Sequence, residues 1–429
     1  MPASPHARSP GNPGNHGTHP SAEGLATAAA RQTYRRVQRH ASMRALLLTL
    51  PLIVFLLSTF IAPIAMLLAR SVQNHEMADG MPHLARALVA WDGNGVPGET
   101  TFALLAADLK QARESGQLGT VARRMNFAQP EFRSLLMRTA RAVGDDTPAA
   151  WKPALIELDA RWDSPETWRL LKRAATSPTP DYLLAGMDAQ VIPQGTVASV
   201  PDNASVYREA FLRTISISAT VTILCLILGY PVAWLLANLP EKQSHRLMLF
   251  VIVPFWTSLL VRTTAWYVLL QPGGVINSLL SMLGLTSHPV ALIFNRTGVL
   301  IGMTHVLLPY MILAIYSVMK SVSPIYMRAA KSLGAHPFTA FVRIYIPQTL
   351  PGVGAGCFLV FVLALGYYIT PSLLGGAGDE MISQLIAMQT NTQLNWGLAG
   401  ALSAYLVIFT AVFYFIFNRI VGIDRLRFG

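Results

Sequence analysis

The residues able to do chemistry in this chain are few, and most lie inside or beside apolar runs. Arg262 interrupts a hydrophobic stretch that begins at Leu247. His305, Tyr367 and Tyr368 fall within other such stretches, and Asp379-Glu380 form an acidic pair in a short polar loop. An arginine at membrane depth costs about 2.5–3.5 kcal/mol on an insertion scale. It therefore snorkels to an interface, forms an ion pair or lines a solute path. Aromatics such as Tyr367 and Tyr368 line a path or anchor a span at the interface. His305 is a packing residue or faces the path. Carboxylates at a pore mouth raise the local concentration of a cation, so Asp379 and Glu380 could attract a cationic solute; the plain alternative is solvated loop charge.

Catalytic and nucleotide patterns are missing. There is no G-x4-G-K-[S/T], no H-E-x-x-H and no G-x-S-x-G. His6, His16 and His19 are too scattered to hold a metal, and Cys225 and Cys357 both fall inside apolar runs, as small packing residues do. The chain has no nucleotide site of its own and no cofactor or metal is expected.

The elements that must position these residues are membrane helices. Of 429 residues, 52% are hydrophobic and only 13% charged. That excludes whole-chain disorder, and two cysteines exclude a disulfide scaffold. A helix needs about 20 apolar residues to cross a bilayer. Six segments approach this: Ala45–Ala69, Ile215–Leu239, Leu247–Leu270, Gly298–Met319, Leu350–Leu374 and Gly397–Asn418. The first is too long for a signal peptide, whose apolar core runs roughly 7–15 residues.

Charge placement orients the spans. Residues 71–212 hold 14 Lys/Arg and 17 Asp/Glu, whereas the rest of the chain holds 19 and 5. Basic residues beside spans follow the positive-inside rule and argue against nucleic-acid binding. Arg31, Arg35, Arg36, Arg39 and Arg44 place the N-terminus in the cytoplasm, and Arg419, Arg425 and Arg427 the C-terminus. The loop 320–347 is then cytoplasmic and the loop 375–396 outside.

Five regions result: a disordered basic cytoplasmic tail (1–44), the first span (45–69), an outside insert (70–211), a core with spans two to six (212–420) and a cytoplasmic end (421–429). The insert reads as helical, with helices at Thr100–Ala112, Pro130–Val143 and Trp151–Trp162 and a further one opened by Ser164-Pro165-Glu166. Strand alternation is not evident in it. Asn203-Ala204-Ser205 fits a glycosylation pattern that is common by chance.

The loop after span four carries the most information. Ser323 caps a helix begun by Pro324, and Ile325, Ala329, Ala330 and Leu333 make one apolar stripe. Gly334 stops the helix. A second short helix runs from Pro337 toward Ile346, with Pro347 and Pro351 at the entry to span five. The stretch resembles the EAA loop of ABC-transporter permeases, E-A-A-x3-G-x9-I-x-L-P. Ala329, Ala330, Gly334, Ile344 and Pro347 match; Arg328 replaces the acid and Ile346 the leucine. Pro254-Phe255-Trp256-Thr257 with Leu260, Arg262 and Thr263, Leu308-Pro309-Tyr310, and Gly354–Cys357 are similar to spermidine/putrescine-type permeases over roughly residues 210–420. The insert is a departure from that group.

The resemblance implies an all-α polytopic membrane protein with six transmembrane helices of type I ABC importer permease architecture. It implies a permease subunit of a bacterial inner-membrane, binding-protein-dependent importer of small polar solutes, polyamines first. The implied partners are a second permease subunit, two copies of an ATPase that binds the ATP, and an outside solute-binding protein. The helix 324–334 would couple to the ATPase through Arg328, Ala329, Ala330, Gly334, Ile344 and Pro347. An amino-acid derivative, an iron complex or an anion is the alternative cargo. A stand-alone channel or secondary carrier is a weaker alternative, since no internal repeat is visible.

Overall fold

The computed structural model describes residues 47–129, 131–144, 148–191, 196–200 and 205–421. The tail 1–44, the end 422–429 with Arg425 and Arg427, and Asn203-Ala204 of the glycosylation pattern lie outside the described residues. The chain divides into two units, 1–65 and 66–429.

The helix Leu47–Arg70 is apolar throughout. It opens into a π turn at Leu57–Ile61, where the Ser58 and Thr59 hydroxyls both bond the Phe55 carbonyl and compete with the helical N–H.

Among the described residues five helices are long and apolar enough to cross a membrane, or six if one bent pair counts as a single span. Besides Leu47–Arg70 they are Tyr207–Asn238, Arg296–Ser321, Pro337–Leu365 and Trp396–Ile420. The bent pair corrects the expected straight span Leu247–Leu270: Glu241–Trp256 and Leu259–Leu269 meet at 97°. Pro254 lacks the N–H that would continue the ladder, the chain tightens to a 3-10 turn at Val253–Trp256, and Thr257 and Ser258 are extended.

A second correction concerns span five. Its helix runs unbroken from Pro337, so the short helix expected before Ile346 is part of it, and Pro347 and Pro351 sit inside. A π turn at Phe341–Tyr345 widens the backbone just ahead of Pro347, where an α turn would set the ring against a carbonyl. The helix ends at Leu365, not Leu374; a short helix, Ile369–Leu374, follows a break at Gly366–Tyr368.

Tyr207–Asn238, Arg296–Ser321 and Pro337–Leu365 form the centre of the bundle, closed on Cys225, Met303, Leu307, Met311, Val360 and Ala364. Gly352 and Gly356, one turn apart, let the fifth helix approach the fourth closely. A Cβ on Gly352 would lie 2.8 Å from Val318 Cβ, and one on Gly356 2.7 Å from Met311 Sδ. Phe358 and Phe361 stack against Phe413 and Phe417 of the last helix.

The insert is a helical body. Its main helices are Pro82–Ala90, Glu99–Glu114, Leu118–Ala128, Phe132–Ala142, Trp151–Leu158 and Pro165–Ala175. Trp162 and Trp168 are fully buried beside Phe102. Both indole N–H groups are satisfied, by Thr139 Oγ1 and the Trp162 carbonyl, each at 2.9 Å. Ser164 caps the last of these helices through the Glu166 N–H. The expected single helix 151–162 breaks at Asp159, whose backbone is extended and whose carboxylate accepts the backbone N–H and the Nε–H of Arg161. The reading without strands is also corrected: Ala189–Val191 and Val197–Ser199 pair as an antiparallel hairpin.

Candidate functional site

Three surfaces carry the candidate residues. The first is the loop between the long helices Arg296–Ser321 and Pro337–Leu365. The helix Pro324–Ser332 forms as its residues require, with Ser323 Oγ accepting the Ile325 N–H. Gly334 ends it at φ +86°, a conformation a side chain would strain, while the Ala335 N–H reaches back to the Ala330 carbonyl. Ala330 is buried, and Arg328, Ala329 and Gly334 are exposed. Ile344 is half-buried and Pro347 exposed. The apolar stripe points outward: Ile325 is 63% exposed and Leu333 89%, with Phe338 beside them at 69%. Sequence reasoning found this stripe but not that it is left uncovered.

The second surface gathers residues scattered in sequence. Arg262 lies in the first turn after the 97° bend, and Trp266 follows one turn later. The Trp266 ring meets His305 edge-on at 5.5 Å. Arg262 stands four residues before Trp266 and so on the same face of its helix as the ring that meets His305, and Tyr367 lies three residues before Thr370, which is tied to Thr263 beside the arginine. Phe255 stands edge-on to Tyr310 at 4.8 Å. So Arg262, His305 and Tyr367 share one site, and the break at Gly366–Tyr368 places Tyr367 in it. Tyr368 is largely exposed, and no contact ties it to them. Thr370 Oγ1 meets Thr263 Oγ1 at 3.3 Å and ties the short helix Ile369–Leu374 to the arginine's helix. Trp266 was missed, since a single aromatic in an apolar run carries no pattern, and Tyr310 was noted only within Leu308-Pro309-Tyr310.

The third surface lies where the insert meets the core. Asp379 pairs with Arg296 at 3.7 Å and accepts the Gly376 N–H at 3.3 Å. Glu380 makes no ion pair among the described residues; its carbonyl accepts from Arg213 at 3.2 Å. A cleft of about 480 Å³ opens between the insert and residues 392–395, lined by Glu76, Arg123, Arg124, Arg133 and Tyr182. Arg124 is its buried hub. It bonds Asn74 Oδ1 at 3.0 Å and Asp181 at 2.9 Å, and lies over the Tyr182 ring at 4.8 Å. The insert is fastened to the core at two places. Tyr182 packs on Gly397, where any Cβ would run into its ring, and Tyr405 donates to the Leu183 carbonyl at 2.7 Å. Asp188, 4% exposed, receives the N–H groups of Val206, Tyr207 and Arg208 at 3.0, 3.2 and 2.7 Å and caps the helix Tyr207–Asn238.

Among the described residues no cluster of three metal-ligating side chains exists.

Residues 200–424, the stretch holding the bundle and its exposed loop, match the family described as binding-protein-dependent transport system inner membrane component. The chain belongs to that family. It is 37% identical over 213 residues to the spermidine/putrescine transport system permease protein PotB of Salmonella typhimurium strain SL1344, covering 50% of this chain and 74% of that one. It is 29% identical over 261 residues to the inner membrane ABC transporter permease protein YdcU of Escherichia coli K12, covering 57% and 82%. A bacterial ABC transporter involved in the import of the acidic polysaccharide alginate superposes with a TM-score of 0.44 at 17% identity, over 52% of this chain and 80% of that one. The protein is thus a multi-pass inner-membrane permease subunit of a binding-protein-dependent ABC importer, and such subunits are not themselves enzymes. The match leaves residues 71–199 uncovered, so the insert stands outside the family's shared core.

Proposed function

We infer that this permease carries polyamines of the spermidine/putrescine class. The kinship with PotB supports the cargo. It works as one half of a membrane channel with a second permease subunit, two copies of an ATPase and an outside binding protein. ATP is bound and hydrolysed by the partner.

The observation that carries the mechanism is the uncovered apolar stripe of Pro324–Ser332. A helix with Ile325 and Leu333 in water is unfavourable until something covers it, and burying each is worth about 1.5–3 kcal/mol. An ATPase surface covers it in this reading, with Ala329 small enough for close approach and Arg328 at the rim. Because Ala330 is buried and the chain turns at once into the long helix Pro337–Leu365, a push on Pro324–Ser332 passes as a rigid displacement into that helix. The loop faces the cytoplasm, as do both termini, and the insert faces outside. At the outer mouth Glu380 supplies the field for a cationic solute, since Asp379 is committed to Arg296.

The test is uptake of labelled spermidine into proteoliposomes holding both permeases and the ATPase, with ATP enclosed and the binding protein added outside. Uptake, competed by putrescine, is expected; Leu333→Asp should weaken ATPase retention roughly tenfold or more. No spermidine uptake by an assembled, ATP-hydrolysing complex would refute the cargo. Unchanged ATPase retention by Leu333→Asp would refute the docking surface.

One observation favours a second cargo reading. The bundle brings a cation, Arg262, into the cluster with His305 and, among the described residues, no carboxylate paired with it, which suits an anionic solute. Uptake of a small oxyanion in place of spermidine would establish it.

A further inference from the structure

The Arg262 cluster is unfinished. Arg262 Nε and His305 Nδ1 are both shut off from solvent without a hydrogen-bond partner among the described residues, and no ion pair to Arg262 is formed. Buried polar groups are nearly always satisfied, so two orphans in one cluster mark a site whose missing part lies elsewhere. The missing part is anionic, because an intramembrane arginine left uncompensated is costly.

Among the described residues no carboxylate of this chain pairs with Arg262. Residues 213–421 contain three acids: Glu241, Asp379 and Glu380. Glu241 opens the helix that leads into the bend, eleven residues before its last turn ends at Ile252, and is exposed. Asp379 is held by Arg296. Glu380 anchors Arg213 through its carbonyl. Upstream, Glu209 pairs with Arg213. None contacts the cluster. The surface around the arginine is also uncovered: Val261 is 62% exposed, Leu260 56% and Trp256 76%.

We propose that this face packs against the second permease subunit, which inserts a carboxylate between Arg262 and the His305–Tyr367 wall. The proposal rests on the reading that the chain works with a second permease. The chemistry fits on three counts. A guanidinium takes a carboxylate through two parallel N–H bonds. The aromatic rim of Trp266 and Tyr310 lowers the local dielectric and strengthens the pair. The exposed Leu260, Val261 and Trp256 give the partner an apolar rim to seal the pair from water. The pair also decides the cargo question physically. A neutralised Arg262 neither repels a polyamine nor recruits an anion, so the positive charge in the path is cancelled at assembly.

The experiment uses the complete transporter, purified by a tag on this chain. Wild-type recovery of the second permease is the control, and its failure would sink the importer assembly itself without bearing on Arg262. In Arg262→Glu, recovery of the second permease is expected to fall roughly tenfold or more, because removing one side of a buried pair is strongly destabilising. Each span carboxylate of the second permease is then changed to Arg in the Arg262→Glu background; one such change restores recovery and uptake. As a second variant, Arg262→Cys should crosslink to a cysteine at that same partner position through a short bis-maleimide, because an arginine–carboxylate pair holds its Cα atoms too far apart for a direct disulfide. Full recovery of the second permease by Arg262→Glu overturns the proposal. So does rescue at no partner acid, with a loss tracking the removal of anionic lipid, which would assign the arginine to a phosphate headgroup. Intact assembly with a raised KM for solute in Arg262→Gln would assign it to the cargo and overturn the proposal equally.

Discussion

Asp188 offers the sharpest test of how the insert is joined to the core. Its carboxylate receives three N–H groups at the start of a 32-residue membrane helix while almost entirely buried. Replacing an N-cap acid by alanine costs about 0.5–2 kcal/mol. Losing the acceptor of three part-buried donors at once puts Asp188→Ala near the top of that range, about 2 kcal/mol. Asp188 also sits at φ +54°, and the left-handed region costs an alanine roughly 1 kcal/mol. The sum is about 3 kcal/mol, or roughly 100-fold in a local opening equilibrium. Asn tolerates the same backbone and keeps one acceptor oxygen, so Asp188→Asn should cost about 1 kcal/mol. Hydrogen exchange of peptides covering Val206–Arg208 reads the difference directly. Faster exchange in Asp188→Ala by roughly 100-fold, with Asp188→Asn within about tenfold of wild type, is expected. Equal exchange in all three proteins would refute the capping argument.

Arg328→Glu should leave thermal stability within about 0.5 kcal/mol, since the side chain is exposed, yet lower partner-stimulated ATP hydrolysis, with recovery at high salt. Gly352→Ala should destabilise the complex by about 1–3 kcal/mol in thermal melting, because its Cβ meets the stiff Val318; Gly356→Ala should cost less, because the pliable Met311 can move aside. The Arg161 side chain beside Asp159 holds its carboxyl below the usual 3.8, aided by the Arg161 N–H. A folded pKa below the unfolded one gives stability that is present above about pH 4 and lost as the pH falls through the folded value. Tryptophan fluorescence of acid unfolding should therefore show a shallower acid limb in Asp159→Asn; an unchanged limb counts against the pair. A binding protein that docks on the insert would meet the arginine-lined cleft, so Arg123→Glu/Arg133→Glu should raise its Kd for the complex at low salt, and an unchanged Kd in a titration would count against docking there.

The spans and the exposed loop were legible because they rest on local signals: apolar length, a Ser-Pro start and a glycine stop. The bend after Trp256 was not. Pro254 announces a break, but its 97° angle depends on which neighbours the two halves pack against. The same holds for Tyr367. It sits in an apolar run that reads as unbroken helix, and only the packing of Ile369–Leu374 on Leu259–Leu269 reveals the interruption. The residues Arg262, His305 and Tyr367 could each be singled out by type; their meeting is a tertiary fact. The hairpin at Ala189–Val191 escaped notice because three-residue strands are too short for alternation to show.

The two fastenings of the insert have a mechanical meaning. Asp188 clamps the first turn of one long helix, and Tyr182 with Leu183 clamps the first turns of another, Trp396–Val421. Between the clamps run residues 182 to 188, a chain too short to stretch. The insert is therefore a tie-bar across two helix ends, fixing their spacing while leaving their far ends unheld by it. Any tilt of these two helices must pivot about this bar, so the insert sets their fulcrum.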